Sequence, residues 1–564
     1  MAELSFQASN AIIYLTYGAM LVSGLAIAYF QLRKQHKVQD FLSSNGTRGG
    51  YTLALNFIAS GMGCGILTSY TEIANIAGIM GLLVYTTAGA LPIFLFSFMG
   101  PVIRRRCPDG FVLTEWCYHR YGPLASLYLS AFTVLTIYLF MVSELTAISS
   151  AIQALTGLDP LAATCVEAIV TTIYTFFGGF KVSFTTDTIQ AIFVLVITII
   201  GICGYATQVH IDTAIKDATY HQLMGSSKLG WQLFYILNVA IITNDCFMSG
   251  FWLRTFAAKT DKDLFIGTSI AAIVVGIIST LVGLPGILAV WTGDMTINDE
   301  NGSMAFFVLI SKMDKWVIGV ILIFSIALST CTFDSLQSAC TSSISNDVFR
   351  NKFPMIYSRL LVCVILVPTL VVAVKVSASV LQIYFIADLV SSSIIPIMFL
   401  GLSKHFYFLR GLDIIVGGLG ALFSVFVFGW IYYGNAKDGG LLLLVWNGIY
   451  DSEDWGGFGA FMVAPGFGII IGLLCAGIRI SIQYILAKRN GTPFTALDRV
   501  NNRAFGVFDN FADLPEENEV EDSFTSASDI ETNSVNKDDV QEQTQTALEI
   551  IKEFKLSDLL YLLV

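Results

Sequence analysis

Long apolar stretches recur along most of this chain, and short polar segments separate them. Each stretch holds about 20 residues, the length a helix needs to cross a bilayer, where every backbone N–H and C=O must be bonded within its own segment. The pattern therefore predicts an all-α polytopic membrane protein, with the lipid bilayer as its solvent. We count about thirteen runs, at 10–31, 51–75, 78–100, 123–152, 160–178, 183–208, 230–252, 264–290, 314–345, 356–376, 380–402, 411–433 and 458–485.

The loops between these runs alternate in charge. Cytoplasmic loops carry an excess of Lys and Arg, so the basic loops indicate the cytoplasmic side. This rule places the N-terminus outside and the C-terminus in the cytoplasm. It also makes Asn301, in Asn301-Gly302-Ser303, the glycosylation site that faces outside. The basic loop residues are Arg104 to Arg106, Lys181, Arg254, Lys259, Lys262, Arg350, Lys352, Lys404, Arg410, Lys488 and Arg489.

Composition excludes a soluble protein, because only 13% of the residues are charged and 55% are hydrophobic, whereas about a quarter are charged in soluble domains. The net charge of −11 is concentrated at the C-terminal end, so the membrane part is near neutral and nothing indicates nucleic acid as a partner. Residues 486–564 are acidic and rich in Ser and Thr, which predicts a largely disordered tail. Such a tail suits trafficking, kinase or ubiquitin partners.

One stretch carries a specific pattern, with Tyr174, then Gly178-Gly179, then Thr186-Asp187 and finally Gln190. An acid such as Asp187 inside an apolar run normally faces a wet interior and a cation or proton. The whole pattern resembles the signature of the sodium:solute symporter family. The loop features that precede the fourth run look most like the fungal and plant urea active transporter branch. They are Arg104 to Arg106, Thr114-Glu115 and Arg120-Tyr121-Gly122.

The resemblance implies a LeuT-like fold with two inverted five-helix repeats and discontinuous helices. Such transporters hold substrate between the repeats, where broken helices expose backbone groups. The second run has three glycines within 61–65, and five runs later Asn244-Asp245 interrupts an apolar face. We therefore predict an N-terminal anchor helix and loop over 1–50, a transporter core over 51–402, two peripheral helices over 403–485 and the tail over 486–564.

The resemblance also implies an ion site between the second and ninth runs. In the family, a pair of hydroxyl residues precedes a helix-ending Asp by sixteen and fifteen residues, and counting back from Asp347 gives Cys331 and Thr332. The other ligands would be backbone carbonyls of Ala59, Met62 and Leu328, with Asp187 on the inner half of the ion route. Cys331 departs from the pattern, because Na⁺ prefers oxygen to a thiol. The coupling ion is Na⁺ or H⁺, and no other cofactor is implied.

Several polar residues of the apolar runs are candidates for binding the substrate. Glu72 and Asp334 have no basic neighbour in sequence, and a buried unpaired carboxylate either takes up a proton or finds a cation. These acids favour a polyamine or another small organic cation, while the branch as a whole also implies urea. The predicted substrate-binding residues are Ser69, Tyr70, Glu72, Asn244, Asp245 and Asp334.

The resulting prediction is a plasma-membrane symporter that imports a small nitrogenous solute by alternating access. Two alternatives remain, an uncoupled channel or facilitator and a solute sensor that signals through its tail. An enzyme is not predicted, because the five histidines are scattered in or beside loops and form no catalytic constellation.

Overall fold

The computed structural model describes residues 4–32, 44–108, 110–350, 354–375, 379–498 and 502–505. These residues form an all-helical protein, as the apolar pattern predicted. The α-helices are α1 (Phe6–Leu32), α2 (Gly50–Gly61), α3 (Ile66–Arg106), α4 (Leu113–Tyr121), α5 (Pro123–Thr156), α6 (Leu161–Gln208), α7 (Thr213–Met224), α8 (Lys228–Phe247), α9 (Ser249–Ala257), α10 (Asp261–Gly283), α11 (Pro285–Trp291), α12 (Ala305–Ile310), α13 (Lys315–Ser343), α14 (Met355–Lys375), α15 (Val380–Phe399), α16 (Gly411–Tyr433), α17 (Ala436–Leu443) and α18 (Gly456–Asn490).

Within the described ranges, eleven helices are long and apolar enough to cross a membrane, and the bent pair α8 and α9 makes a twelfth. The sequence predicted about thirteen. The difference lies at the second run, because α2 has only 12 residues and is too short to span alone. The apolar residues that follow it belong to α3, which has 41 residues.

Two glycines divide helices that would otherwise be continuous. Gly78 inside α3 has φ 64° and ψ −157°, and Gly179 inside α6 has φ 59° and ψ −161°. Glycine adopts these dihedral angles at little cost, whereas a Cβ atom makes them unfavourable. A Cβ on Gly78 would also collide with the backbone of Leu223. The two positions match the predicted boundaries between the second and third runs and between the fifth and sixth runs.

Two membrane segments are interrupted by a break in the helix. Residues Met62–Gly65 separate α2 from α3, and a bend of 63° separates α8 from α9 beside Met248. Both breaks fall where glycine-rich or polar residues interrupt an apolar run. α13 packs against α5 and α6 and contacts α2, so its polar face lies beside the first break.

The loop that contains Asn301 packs onto the end of the first part of α3. The Asn75 side chain donates to the Thr296 carbonyl (2.9 Å) and accepts the backbone N–H of Asp299 (2.9 Å). Backbone N–H groups of Asn301 and Thr296 bond to the Asp299 carboxylate and lower its pKa. Asn301, the predicted glycosylation site, is exposed on this loop.

The peripheral helices α16 and α18 pack against each other, and α18 continues to Asn490, past the predicted end of the membrane part. Part of the following segment packs on α4. The Trp116 indole donates to the Ala504 carbonyl (3.2 Å), and the Arg120 guanidinium lies 4.0 Å from the Phe505 ring centroid. Burial lowers the pKa of Arg120. The tail was predicted to be largely disordered over 486–564. Its first residues, up to Asn490, belong to α18, and residues 499–501 and 506–564 lie outside the described residues.

Candidate functional site

A cavity lies between the two helix breaks. Gly61 and Gly63 line it from the first break, and Asn244, Asp245 and Met248 line it from the second. Because breaks expose backbone groups that a continuous helix would pair internally, they allow polar ligands to approach in the membrane interior. Residues of α3, α5, α9, α10, α13 and α15 also line the cavity.

Four of the six predicted substrate residues line this cavity: Ser69, Tyr70, Asn244 and Asp245. The Ser69 hydroxyl donates to the Gly65 carbonyl (2.9 Å), which also accepts the backbone N–H of Ser69 (2.9 Å) at the start of α3. Asn244 and Asp245 lie in the last turn of α8, directly before the bend.

Three carboxylates belong to the cavity wall: Glu144 on α5, Asp245 on α8 and Asp388 on α15. Glu144 accepts the backbone N–H of Cys64 (2.8 Å) and the Tyr384 hydroxyl (3.3 Å), so it connects the first break with α15. Among the described residues, no salt bridge engages any of these three acids. The cavity wall therefore offers three carboxyl groups that no basic side chain engages among the described residues, and such groups either take up a proton or bind a cation.

Aromatic rings form much of the remaining wall. Tyr70 and Tyr85 stack with ring centroids 4.0 Å apart and an angle of 5° between their planes. The ring centroids of Phe140 on α5 and Tyr384 on α15 lie 4.9 Å apart. All four rings line the cavity, and the faces of such rings attract cations.

The residues of the predicted ion site come together beside the first break. The Thr332 hydroxyl donates to the Met62 carbonyl (3.2 Å), and the Cys331 sulfur lies 3.9 Å from the Ala59 carbonyl oxygen. Leu328 is buried one turn earlier on α13. Backbone and hydroxyl oxygens are the ligands that a hard cation such as Na⁺ prefers, whereas the thiol is not such a ligand.

Asp187 contacts this cluster but already has a positive partner. The Arg254 guanidinium donates to the Asp187 carboxylate (2.8 Å), and both side chains are buried, with exposures of 2% and 0%. The Cys331 thiol donates to the other carboxylate oxygen (3.1 Å), and the Ser335 hydroxyl donates to the same group (2.9 Å). Arg254, which the charge pattern assigned to a cytoplasmic loop, is thus a buried residue of α9.

Glu72 and Asp334 do not line the cavity and do not face each other. Asp334 points to α6, where it accepts hydrogen bonds from Tyr174 (2.8 Å) and Ser183 (2.9 Å). Glu72 lies beside Tyr450, and its Oε2 atom has no hydrogen-bond partner among the described residues. Neither placement supports direct contact with a substrate in the cavity.

Sequence reasoning missed Glu144 and Asp388, although a usable signal was present. Each is an acid within an apolar run, which is the same criterion that selected Glu72 and Asp334. The sequence alone could not rank these acids, because their positions along a helix do not specify which neighbours they face. The rings of Tyr85, Phe140 and Tyr384 gave no comparable signal.

Comparison with known proteins relates the chain to membrane transporters. The family model described as "Sodium:solute symporter family" matches residues 41–403. "Spermidine transporter DUR31" of Candida albicans is 60% identical over 500 residues, which cover 88% of this chain and 95% of that protein. "Probable urea active transporter 1" of Schizosaccharomyces pombe is 24% identical over 270 residues, 43% of this chain and 41% of that protein.

Two solved structures share the fold. A Na⁺-coupled sialic acid symporter in a substrate-bound, outward-open state has a TM-score of 0.63 and 16% identity, over 84% of this chain and 97% of that chain. Mhp1, a nucleobase-cation-symport-1 family transporter, has a TM-score of 0.52 and 13% identity, over 84% and 100% of the two chains. These likenesses support the predicted LeuT-like arrangement of inverted repeats with discontinuous helices.

Proposed function

This chain belongs to the sodium:solute symporter family, and we propose that it imports a polyamine, or a similar small organic cation, by alternating access. The family and its named relatives identify a secondary active transporter of small nitrogenous solutes and not an enzyme. The relative with 60% identity is named a spermidine transporter.

The observation that carries this proposal is the set of carboxyl groups in the cavity wall. Glu144, Asp245 and Asp388 supply three carboxylates without basic partners, and aromatic rings cover the neighbouring wall. Arg254 also lines the cavity, but Asp187 neutralises it. Protonated amines pair with carboxylates and pack on ring faces, so this wall suits a substrate with several amino groups.

Urea is the second candidate, because relatives named urea active transporters match parts of the chain at 21–27% identity. Urea is neutral and gives no reason for three unpaired acids in a binding cavity, which would cost free energy to bury. We therefore propose that the carboxylates of Glu144, Asp245 and Asp388 bind the substrate. Ser69, Tyr70 and Asn244 also contribute to the binding site. Glu72 and Asp334 do not line the cavity and are not assigned this role.

A polyamine brings its own driving force. Spermidine carries about three positive charges at neutral pH, because simple amines have pKa values near that of lysine. At a membrane potential of about −100 mV, each inward charge supplies about 2.3 kcal/mol, so three charges supply about 7 kcal/mol. That is enough for about 10⁵-fold accumulation.

The residues of the cavity suggest how occupancy changes the protein. Glu144 holds the Cys64 N–H of the first break and the Tyr384 hydroxyl of α15. An ammonium group bound to Glu144 competes with these donors, so it loosens the link between the first break and α15 and lets both rearrange around the substrate. Closure around the substrate and opening to the other side then follow from the better binding of the closed form.

Uptake of labelled spermidine and labelled urea in transporter-deficient yeast tests this function. We expect spermidine to accumulate, and we expect Asp388→Asn and Asp245→Asn to raise its KM at least about tenfold, since unpairing a desolvated charge costs more than about 1.4 kcal/mol. The exposed acid Glu453, which bonds Lys228, provides the control variant Glu453→Gln. Accumulation of urea alone, or wild-type KM values in both acid variants, would contradict the proposal.

Accumulation beyond electrochemical equilibrium separates a coupled symporter from a channel, and transport itself separates it from a sensor. We further propose a plasma-membrane location with the N-terminus outside, the C-terminus in the cytoplasm, and control of the tail by trafficking, kinase or ubiquitin partners. Family membership implies cation coupling by Na⁺, and H⁺ is the alternative coupling ion.

A further inference from the structure

The family implies sodium, so the donor atoms at the predicted ion site decide whether sodium fits this chain. Thr332 and the carbonyls of Ala59 and Met62 provide oxygen. The position between them is held by the sulfur of Cys331. A thiol is a soft and weak ligand, and Na⁺ as a hard cation gains little from it.

The neighbouring charge is also unfavourable for a metal cation. A carboxylate next to a cation site normally contributes a full negative charge, but Asp187 forms a salt bridge with Arg254 at 2.8 Å. The Cys331 thiol, moreover, is a hydrogen-bond donor at this position, toward the Asp187 carboxylate at 3.1 Å and toward the Ala59 carbonyl at 3.9 Å. A sodium ion here would meet a donor hydrogen and a fixed guanidinium close by.

We propose that Cys331, together with the Arg254–Asp187 pair, makes transport by this chain independent of sodium. Arg254 supplies the positive charge beside Asp187 permanently, so no metal ion is needed to stabilise that carboxylate. The inference rests on the proposed uptake of an organic cation, whose own charge lets the membrane potential drive import.

The first test uses purified protein in liposomes with a fixed membrane potential and labelled spermidine, with sodium exchanged for choline. We expect the wild-type rate to be unchanged by sodium. Cys331→Ser restores a hydroxyl of similar size at this position and should make uptake rise at least about fivefold with sodium, the lower range of typical coupling. Cys340→Ser, another buried thiol on α13, is the matched control and should remain insensitive.

The second test needs no transport substrate and measures the melting temperature of the purified protein in sodium or choline. A ligand stabilises only the form that binds it, so Cys331→Ser should gain a sodium-dependent shift that the wild type and Cys340→Ser lack. Sodium-dependent uptake or stabilisation of the wild type would overturn the inference while leaving polyamine import intact. A Cys331→Ser variant without any sodium response would overturn it as well.

If the wild type carries no spermidine under any condition, the proposed function fails, and the melting temperatures still decide the question of sodium. The two failures are therefore distinguishable.

Discussion

The buried acids of the membrane core are satisfied in different ways, and the difference separates structural from substrate-facing residues. Asp187 forms a buried salt bridge with Arg254. Asp334 has hydroxyl donors from α6 but no cation among the described residues. Asp388 lines the cavity, and within the described ranges no salt bridge involves it. An acid without a partner in a cavity is the better candidate for binding a cation.

At the residue scale, we predict strong coupling between Asp187 and Arg254. Asp187→Asn or Arg254→Gln alone leaves one buried charge unpaired and should destabilise the protein by about 3–5 kcal/mol. The double variant removes both charges and should recover part of this loss. Thermal unfolding of the four proteins in detergent measures the coupling.

The pair Arg105 and Asp261 joins the same residue types at 3.0 Å on the surface, and Arg105→Gln is the control because Asp261 keeps its second partner, Arg104. Breaking it should change stability by only about 0–1 kcal/mol. Additive effects of Asp187→Asn and Arg254→Gln would show that the buried pair is not a coupled unit.

At the scale of the elements, the first break depends on close contact between backbone and side chain. Gly63 lies against the Glu144 carboxylate, and a Cβ at this position would collide with it. A Cβ on Gly65 would likewise collide with the Tyr384 hydroxyl. The glycines of the break are therefore required less for backbone freedom than for space, since Glu144 must approach to bond the Cys64 N–H.

We predict that Gly63→Ala abolishes transport, because it displaces Glu144 from both the break and the cavity. Gly61→Ala, two residues earlier, is the control, since a Cβ there would meet Ile93 at an ordinary 3.5 Å. Spermidine uptake normalised to the amount of protein at the cell surface distinguishes the two. Equal activity of both variants would mean that Glu144 does not need its present position.

At the scale of the whole molecule, the alternation of charge between loops predicts which surfaces face each side of the membrane. The exposed loop with Asn301 packs on Asn75 of α3. The segment at Ala504 and Phe505 packs on α4 at Trp116 and Arg120. If the charge rule holds, these two surfaces lie on opposite sides of the membrane.

The orientation predicts that Asn301 carries a glycan when the chain is made in yeast. Treatment with an endoglycosidase should increase the mobility of the wild type on a gel, and Asn301→Gln should already run at the faster position. Asn490→Gln is the matched control, since Asn490 also belongs to a sequon but is predicted to be cytoplasmic. A glycan lost with Asn490→Gln instead would invert the topology.

Much of the fold was predictable because the features that define a membrane helix depend on residues close together in the sequence. Their length, the positive loops and the glycines at Gly78 and Gly179 can be read from neighbouring residues. The number of spans was harder to predict, because one broken segment is made of α2 and the part of α3 before Gly78, and each of these two pieces is short. The positions of Cys331 and Thr332 beside Met62 and Ala59 followed from the family pattern, and the contacts agree with that placement.

The sequence by itself determined the membrane class, the helix boundaries at glycines and the polar character of α13, because these depend on residues close together in the chain. Only the tertiary structure decided which acids share a cavity. Glu144, Asp245 and Asp388 lie far apart in sequence and meet because three helices pack around two breaks. It likewise decided that Arg254 is paired inside the protein rather than exposed in a loop, since burial and partners are properties of the packed helices.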